Sequence, residues 1–224
     1  IANGAGLLFL VLAGGQYSRY RYTKKSKTVI ETEKERSENL LLNILPSEIA
    51  EELKIKGKAD PRGFDKASIL FTDFKGFTQV SEKLTAEELI AEINHCFQAF
   101  DHICTKYNIE KIKTIGDAYM AAGGIPVPIE DSIKNTVLGA LEMQEFITQR
   151  INEKNANDEL FFEMRLGIHT GPIVAGIVGV KKFQYDVWGD TVNTAARMES
   201  SGEVGKVNIS EDTYQLIKDD VDFS

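Results

Sequence analysis

The alternation of short apolar runs with long amphipathic segments is the feature that most restricts how this chain can fold. Apolar, β-prone runs predict strands, and helical spacing of apolar residues predicts helices. The first strands fall at 67–72, 109–114 and 118–122, and the two long helices at 85–106 and 131–153. Thr85, with Glu88 three positions later, predicts a capping box at the start of the first long helix. The pattern therefore predicts a mixed domain in which helices cover a sheet.

The C-terminal part continues this pattern with shorter elements. Residues 162–169 and 173–178 predict two strands joined by a turn at Thr170-Gly171-Pro172, because glycine and proline commonly mark turns. The remaining predicted elements are a strand at 183–187, a helix at 190–200, a strand at 207–210 and a helix at 211–218.

Length and charge limit the function classes. Of the 224 residues, those from 60 to 224 fit one domain of ordinary size, and a hydrophobic content of 42% suffices for a core. The formal net charge of −8 argues against broad nucleic-acid binding, so we expect no nucleic-acid partner.

The first sixteen residues contain an apolar run, 5–13, that is too short to cross a bilayer by itself. Five basic residues follow it within nine positions, with tyrosines interleaved: Arg19, Arg21, Lys24, Lys25 and Lys27. Because basic and aromatic residues gather at the cytoplasmic end of membrane helices, we interpret 1–16 as the cytoplasmic end of a transmembrane helix. Its beginning would be missing, in keeping with a first residue other than Met. The alternative is a soluble amphipathic helix with a solvated basic end.

Residues 17–59 predict a basic juxtamembrane segment and a helical linker. A charged, then Leu-rich helical stretch covers 28–45, and Pro46 interrupts it. Ser47 is a candidate N-cap for a second helix. The irregular apolar spacing indicates a parallel coiled coil only weakly. We therefore expect a membrane-anchored chain with its 60–224 domain in the cytoplasm, under an upstream sensor that the sequence does not identify.

The cysteines and histidines do not form a metal motif. Cys96 and Cys104 lie eight residues apart in a predicted helix, which separates them by about 12 Å. A disulfide requires Cα atoms within roughly 7 Å, so both are predicted to be free thiols in a reducing compartment. The three histidines are scattered and are interpreted as structural: His95, His102 and His169.

Two aspartates have the setting of a metal site. Asp73 and Asp117 each follow a short β-prone run and lie beside a glycine at a predicted turn. Mg²⁺ is usually bound by one or two carboxylates together with substrate phosphates. A pair of such ions stabilises the attacking and leaving oxygens of a displacement at phosphorus. Together with the motifs described next, the aspartates indicate nucleotide chemistry.

Four strings occur in order along the chain: FTDFKGFT, EKIKTIGDAYM, LGIHTGPIVAGIVG and QYDVWGDTVNTAARME. Together they closely resemble the catalytic domain of class III nucleotidyl cyclases, the adenylate and guanylate cyclases. The resemblance implies a ferredoxin-like α+β fold for residues 60–224 and a dimer with active sites at its interface. The preceding string LLNILPSEIA also resembles the helical transducer element found before many such domains.

The resemblance assigns the metal and phosphate ligands. Asp73, Asp117 and the backbone carbonyl of Phe74 match the ligands of two Mg²⁺ or Mn²⁺ ions per active site. One ion would activate the ribose 3′-oxygen, and the other would hold the β- and γ-phosphates. The backbone N–H groups of three residues at a helix N-terminus would face phosphate oxygens: Gly76, Phe77 and Thr78.

The resemblance also assigns the catalytic pair and the base-reading pair. Asn193 and Arg197, four apart on a predicted helix, match the residues that orient the ribose and stabilise the charged transition state. Lys113 and Asp186 match the residues that read the purine, where a Lys donor suits adenine N1 and an Asp acceptor suits the 6-amino group. Guanine presents the reverse polarity, so ATP is the expected substrate. The alternatives are a guanylate cyclase and a catalytically inactive regulatory domain.

All of these residues occur in one chain, which predicts a symmetric homodimer with two equivalent sites. Each site would take Asp73 and Asp117 from one protomer and the catalytic and base-reading pairs from the other. One departure from the family pattern is the end at Ser224, before the family's phosphate-binding lysine. We expect that the C-terminal end is truncated, and Lys75 is the candidate to compensate for the missing lysine.

Overall fold

The structure is a computed structural model that describes residues 2–179 and 183–221, with side chains described from Gly15 onward except for Ser18. The predicted domain 60–224 and the predicted membrane segment 1–16 therefore each include residues outside the described part. The chain comprises two compact units, Ile1–Ala50 and Glu51–Ser224.

The N-terminal unit is helical. Helix α1 runs from Ala2 to Leu42, so the predicted helical stretch at 28–45 belongs to a longer helix. Helix α2, Ser47–Lys56, begins in this unit. Ser47 is its first residue instead of its N-cap, and its hydroxyl donates to the Glu48 carboxylate at 3.0 Å. Among the described residues, none of the helices combines the length and apolarity needed to cross a membrane. The side chains of the apolar run 5–13 lie outside the described part.

The second unit contains a six-stranded sheet. Its elements are β1 (Arg62–Lys75), α3 (Phe77–Ser81), α4 (Ala86–Lys106), β2 (Ile109–Ile115), β3 (Ala118–Gly123), α5 (Ser132–Ala156), β4 (Glu163–Val178), β5 (Gln184–Trp188), α6 (Asp190–Ser200), β6 (Val207–Ile209) and α7 (Glu211–Ile217). The strand order is β2-β3-β1-β4-β5 with antiparallel pairing, and β6 pairs in parallel with β4. The succession β1–α4–β2–β3–α5–β4 is the ferredoxin-like βαββαβ arrangement, so the α+β prediction is confirmed.

One element prediction is wrong. The segment 163–178 is a single strand, β4, instead of two strands joined at Thr170-Gly171-Pro172. A Cβ on Gly171 would lie 2.7 Å from the Thr191 hydroxyl on α6, so this glycine makes room for a helix and does not form a turn. Pro172 lies where the β1–β4 register shifts, and such irregular positions tolerate proline inside a sheet.

One face of the sheet carries the hydrophobic core. Helices α4 and α5 pack there against alternate residues of β1 and β4, including Leu70, Phe74 and Leu166. The predicted capping box is confirmed, because the Thr85 hydroxyl accepts from the Glu88 N–H and the Glu88 carboxylate accepts from the Thr85 N–H. The two cysteines of α4 are free, as predicted, and both are also buried in this core.

Candidate active site

The end of β1 and the β2–β3 turn bring the two predicted metal aspartates together. Strand β1 pairs with β3 up to Thr72 and Tyr119, which places Asp73 next to the turn that holds Asp117. Gly116 allows this tight turn by adopting a φ of 65°. Burial raises the pKa of the Asp117 carboxyl, and the negative charge of Asp73 raises it further. The two carboxylates are therefore electrostatic neighbours.

Backbone groups moderate this repulsion. Hydrogen bonds from the backbone of Asp117 itself and of Phe74 lower the pKa of the Asp117 carboxyl and partly oppose the effect of burial. The Phe74 ring is fixed beneath the site, stacked on Phe162 with centroids 5.0 Å apart. The backbone of Phe74 thus adjoins the Asp117 carboxylate, where the sequence predicts its carbonyl as an additional ligand.

The chemistry of this donor set suits a hard divalent cation. Two carboxylates that repel each other gain from a cation placed between them, and oxygen ligands are those that Mg²⁺ prefers. Within the described residues no group of three or more His, Cys, Asp or Glu side chains is arranged to hold a metal. A cation at Asp73 and Asp117 would therefore depend on substrate phosphates for further ligands, as expected for Mg²⁺.

The predicted phosphate ligands follow β1 directly. Gly76 has a φ of 68° and precedes α3, a short helix that begins at Phe77. The first N–H groups of a helix have no intrahelical acceptor. The N–H groups of Gly76, Phe77 and Thr78 thus lie in the turn immediately after Asp73, although their role toward phosphate stays a prediction.

Arg165 and Glu199 belong to this site but were not predicted from the sequence. Arg165 lies opposite Asp73 in the β1–β4 ladder, and its Nη2 donates to Asp73 Oδ2 at 2.9 Å. The same nitrogen lies 3.0 Å from Glu199 Oε1 in an ion pair. Arg165 Nη1 donates to the Ser200 carbonyl at 3.1 Å. One guanidinium therefore joins Asp73 to the C-terminal end of α6.

The charges around Glu199 affect its protonation. Burial is the largest cause that raises the pKa of its carboxyl, and the charges of Asp73 and Asp117 add to it, whereas Arg165 opposes them. The sequence does contain a signal for Arg165, which is the single arginine within the apolar run 164–168. A charge inside a buried strand needs a partner. Glu199 carried no comparable signal.

The base-reading residues meet within the chain. Lys113 on β2 and Asp186 on β5 form an ion pair with Nζ and Oδ2 2.5 Å apart, and both side chains are partly buried. The other oxygen of Asp186 accepts from the Val187 N–H at 2.9 Å. Strands β2 and β5 end the main strand order on opposite sides, so the sheet must curve for this pair to form.

The catalytic pair lies on the outer face of α6. Asn193 and Arg197 are exposed, and the Arg197 side chain retains 71% of its accessible surface. The opposite face of the helix is buried through Thr191 and Ala195. Among the described residues, neither Asn193 nor Arg197 is hydrogen-bonded or ion-paired to the two aspartates. Within a single chain, the two metal aspartates therefore lie close to each other, and the two base-reading residues contact each other. The catalytic pair faces outward.

Comparison with known proteins places this geometry in a family. Residues 59–224 match the adenylate and guanylate cyclase catalytic domain. An adenylate cyclase of Mycobacterium tuberculosis is 39% identical over 203 residues, which cover 89% of this chain and 44% of that protein. The receptor-type guanylate cyclase Gyc76C of Drosophila melanogaster is 38% identical over 189 residues, or 84% of this chain and 12% of that protein. The chain thus spans less than half the length of these relatives.

A solved structure supports the same assignment. The adenylyl cyclase CyaB from P. aeruginosa superposes with a TM-score of 0.69 at 30% identity, over 73% of this chain and 85% of that one. Because the family match covers most of the chain and includes all the strands of the sheet, the protein belongs to the class III nucleotidyl cyclases, the family of the adenylate and guanylate cyclase catalytic domain.

Proposed function

We propose that the protein is an adenylate cyclase that converts ATP to 3′,5′-cyclic AMP and pyrophosphate. The observation that carries this proposal is the Lys113–Asp186 pair. Lysine is a donor only and an ionised aspartate is an acceptor only. Adenine presents an acceptor at N1 and donors on its 6-amino group, so it can satisfy both. Guanine presents a donor at N1 and an acceptor at O6, so each of these atoms would face a group of the same kind on this pair, which is costly in a partly buried site.

The remaining site residues divide the work of positioning and charge stabilisation, which supply most of the catalysis in phosphoryl transfer. Asp73, Asp117 and the Phe74 carbonyl would hold two Mg²⁺ or Mn²⁺ ions. When bound, these ions neutralise phosphate charge and favour the reactive form of the 3′-oxygen. Asn193 would orient the ribose. Arg197 keeps its charge at any working pH and can donate two parallel hydrogen bonds to a phosphate.

We further propose that two copies of the chain form a homodimer with shared sites. Asn193 and Arg197 are exposed and, among the described residues, have no ion pair or hydrogen bond to the aspartates of their own chain, which supports this arrangement. In each site, one protomer would supply Asp73 and Asp117, and the other would supply the base-reading and catalytic pairs.

Membrane attachment is a separate proposal. The basic residues Arg19–Lys27 and the tyrosines beside them are exposed on α1, as expected next to an anionic membrane surface. We infer that the apolar run before them anchors the chain and that the cyclase domain is cytoplasmic. Fractionation of cells that express the full-length protein tests this, since recovery in the soluble fraction would contradict it.

The substrate assignment is tested by exchanging the base-reading pair. The wild-type protein should turn over ATP in preference to GTP with Mg²⁺ or Mn²⁺. Replacing Lys113 with Glu and Asp186 with Cys reverses the polarity and should shift the ratio of kcat/KM values toward GTP by at least about 10-fold. An unchanged ATP preference in the double variant would refute the assignment.

Guanylate cyclase activity is the second candidate, because relatives of similar identity include proteins described as guanylate cyclases. A wild-type preference for GTP would establish it. Lack of turnover with either nucleotide, in a protein that folds and binds metal, would instead favour a regulatory domain.

The shared site is tested by complementation. Asp117→Ala and Arg197→Ala homodimers should each be nearly inactive, because both of their sites carry the same defect. In a mixed dimer, one site collects both defects and the other collects none. With random exchange, about a quarter of wild-type activity per total site should return, by the symmetry of the pair. A mixture that stays inactive after subunit exchange has been demonstrated would exclude shared sites.

A further inference from the structure

Helix α6 presents different chemistry on its two sides. Its outer face carries Asn193 and Arg197, which the proposed function assigns to the site completed by the partner chain. Its inner face and C-terminal end lie on β4, directly beside the metal aspartates of the same chain. This inner side carries an ionic link that the proposed reaction does not yet use.

The link runs from Asp73 through Arg165 to the end of α6. Arg165 Nη2 lies 2.9 Å from Asp73 Oδ2 and 3.0 Å from Glu199 Oε1. Arg165 Nη1 also donates to the Ser200 carbonyl, so one side chain binds both the helix end and the metal ligand. The Arg165 and Glu199 side chains retain only 18% and 12% of their accessible surface. Solvent therefore screens this link much less than it screens exposed ion pairs.

The backbone at this point is packed too closely for the helix end to shift freely. A Cβ on Gly167 would lie 1.9 Å from the Glu199 nitrogen and 2.5 Å from its Cα. The α6 backbone thus rests on β4 with no side chain between them. The end of α6 is therefore held on β4 both by this direct backbone contact and by Arg165.

We propose that Glu199 is a positioning residue that serves both active sites of the dimer. Through Arg165 it orients Asp73 in the metal site of its own chain. Through α6 it holds Asn193 and Arg197 in place for the site of the partner. This inference rests on the shared-site homodimer of the proposed function.

The physical reason lies in charge balance. Arg165 is shared between two carboxylates, and a cation at Asp73 would weaken that carboxylate's need for the guanidinium. Arg165 would then interact more strongly with Glu199 and Ser200, and so tighten the end of α6. Replacing a residue that hydrogen-bonds to a metal ligand and orients it commonly lowers metal affinity or activity by about 10-fold to 100-fold.

The test uses the mixed dimer of Asp117→Ala and Arg197→Ala chains, which has one intact site, and places Glu199→Gln in only one of its two chains. One chain carries Arg197→Ala and supplies Asp73 and Asp117 to the single intact site. The other carries Asp117→Ala and supplies Asn193 and Arg197, and both chains retain Asp73 and Arg165. Glu199→Gln is added to either chain in turn, and activity is measured against Mg²⁺ and nucleotide concentration. Glu203→Gln, at an exposed acid just beyond α6, is the matched control.

The expected result depends on which chain carries the change. In the chain that supplies the aspartates, Glu199→Gln should raise the Mg²⁺ concentration for half-maximal activity by about 10-fold, with little change in kcat at saturating Mg²⁺. In the other chain it should lower kcat by about 10-fold and leave the Mg²⁺ requirement unchanged. Glu203→Gln should change neither quantity in either chain.

Three outcomes would overturn the proposal. Equal effects from both placements would indicate a merely structural role, and no effect from either would indicate no role. If the mixture of Arg197→Ala and Asp117→Ala chains is inactive before Glu199 is changed, the shared site and this inference are refuted together. If that mixture is active and the two placements of Glu199→Gln have equal effects, only the inference is refuted. If Glu199→Gln does not fold, Glu199→Asp keeps the charge but shortens its reach, and should show the same asymmetry at smaller size.

Discussion

The two faces of strands β1 and β4 carry different chemistry. Toward α4 and α5, both strands present buried apolar side chains such as Leu70, Phe74 and Leu166. Toward α6, the same strands present Asp73, Arg165 and glycines that admit the helix. One face is a close-packed core, and the other holds partly buried charges.

This difference separates stability from function within a few residues. The period of two along a strand sends successive side chains to opposite faces, so the Asp73 carboxylate can serve the site while the Phe74 ring beside it packs in the core. The apolar face supplies the free energy that holds the sheet. The α6 face contains like charges close together, an arrangement that is typical of functional sites. Variants on the two faces should therefore affect different quantities.

The largest effect is expected from Asp117→Asn. It removes a charged metal ligand, so activity at saturating Mg²⁺ should fall by about a thousand-fold. The folded domain without metal should nevertheless become more stable at neutral pH. Burial and the nearby Asp73 raise the pKa of the Asp117 carboxyl, so its ionised form is unfavourable in the folded state. Thermal unfolding of both proteins in EDTA, with activity assays, measures this.

The pH dependence of that stability gain fixes its cause. A folded-state pKa raised above the unfolded value means that ionisation of Asp117 costs stability as pH rises through the folded pKa. The advantage of Asn over Asp should thus be full at neutral pH and disappear as pH falls below the unfolded pKa. A gain that persists in acid would show that Asp117 is not destabilised by its charge.

A large-to-small change in the core should lower the stability of the domain and leave the activity of the folded protein nearly unchanged. Met143 on α5 is fully buried on the apolar face, and Met143→Ala should lower the free energy of unfolding by about 2–5 kcal/mol. The kcat of the folded fraction should change by less than about twofold, since no part of the site is lost. Leu141→Ala on the exposed side of the same helix is the control. Denaturant unfolding and activity under native conditions distinguish the two quantities, and loss of kcat in stable Met143→Ala would contradict the separation.

The apolar face was largely predictable from the sequence, and the α6 face was not. Periodicity and the Thr85 capping signal located α4 and α5 because those elements bury regular apolar stripes. Gly171 was misread as part of a turn because a glycine that admits a helix looks the same in sequence as one that bends the chain. Arg165 and Glu199 meet only through the β1–β4 register and the position of α6. No local pattern encodes such a contact.

Gly167→Ala should disturb α6 without touching a charge. The added Cβ would lie 1.9 Å from the Glu199 nitrogen, so α6 or β4 must shift, at a cost of about 1–3 kcal/mol. Activity should fall several-fold as well, because α6 carries Asn193 and Arg197. Gly63→Ala, where nothing lies within 4 Å of the new Cβ, is the matched control and should change neither quantity. If the two alanine variants behave alike, α6 is not packed on β4 as described.

The smallest effect is expected from thiol reagents, which test whether the apolar face stays closed. Cys96 and Cys104 retain 1% and 2% of their accessible surface, and burial raises the pKa of each thiol to about 12. At pH 8 only about one thiol in ten thousand would be ionised, and the thiolate is the reactive form. An Ellman's reagent assay of the native protein should show no fast reaction and no loss of activity, whereas both thiols should react in denaturant.

A Glu203→Cys variant supplies an exposed thiol beyond α6 and should react at once. Fast labelling of the native cysteines would show that α4 opens from the sheet. The apolar face would then not be closed, and its contrast with the α6 face would be lost.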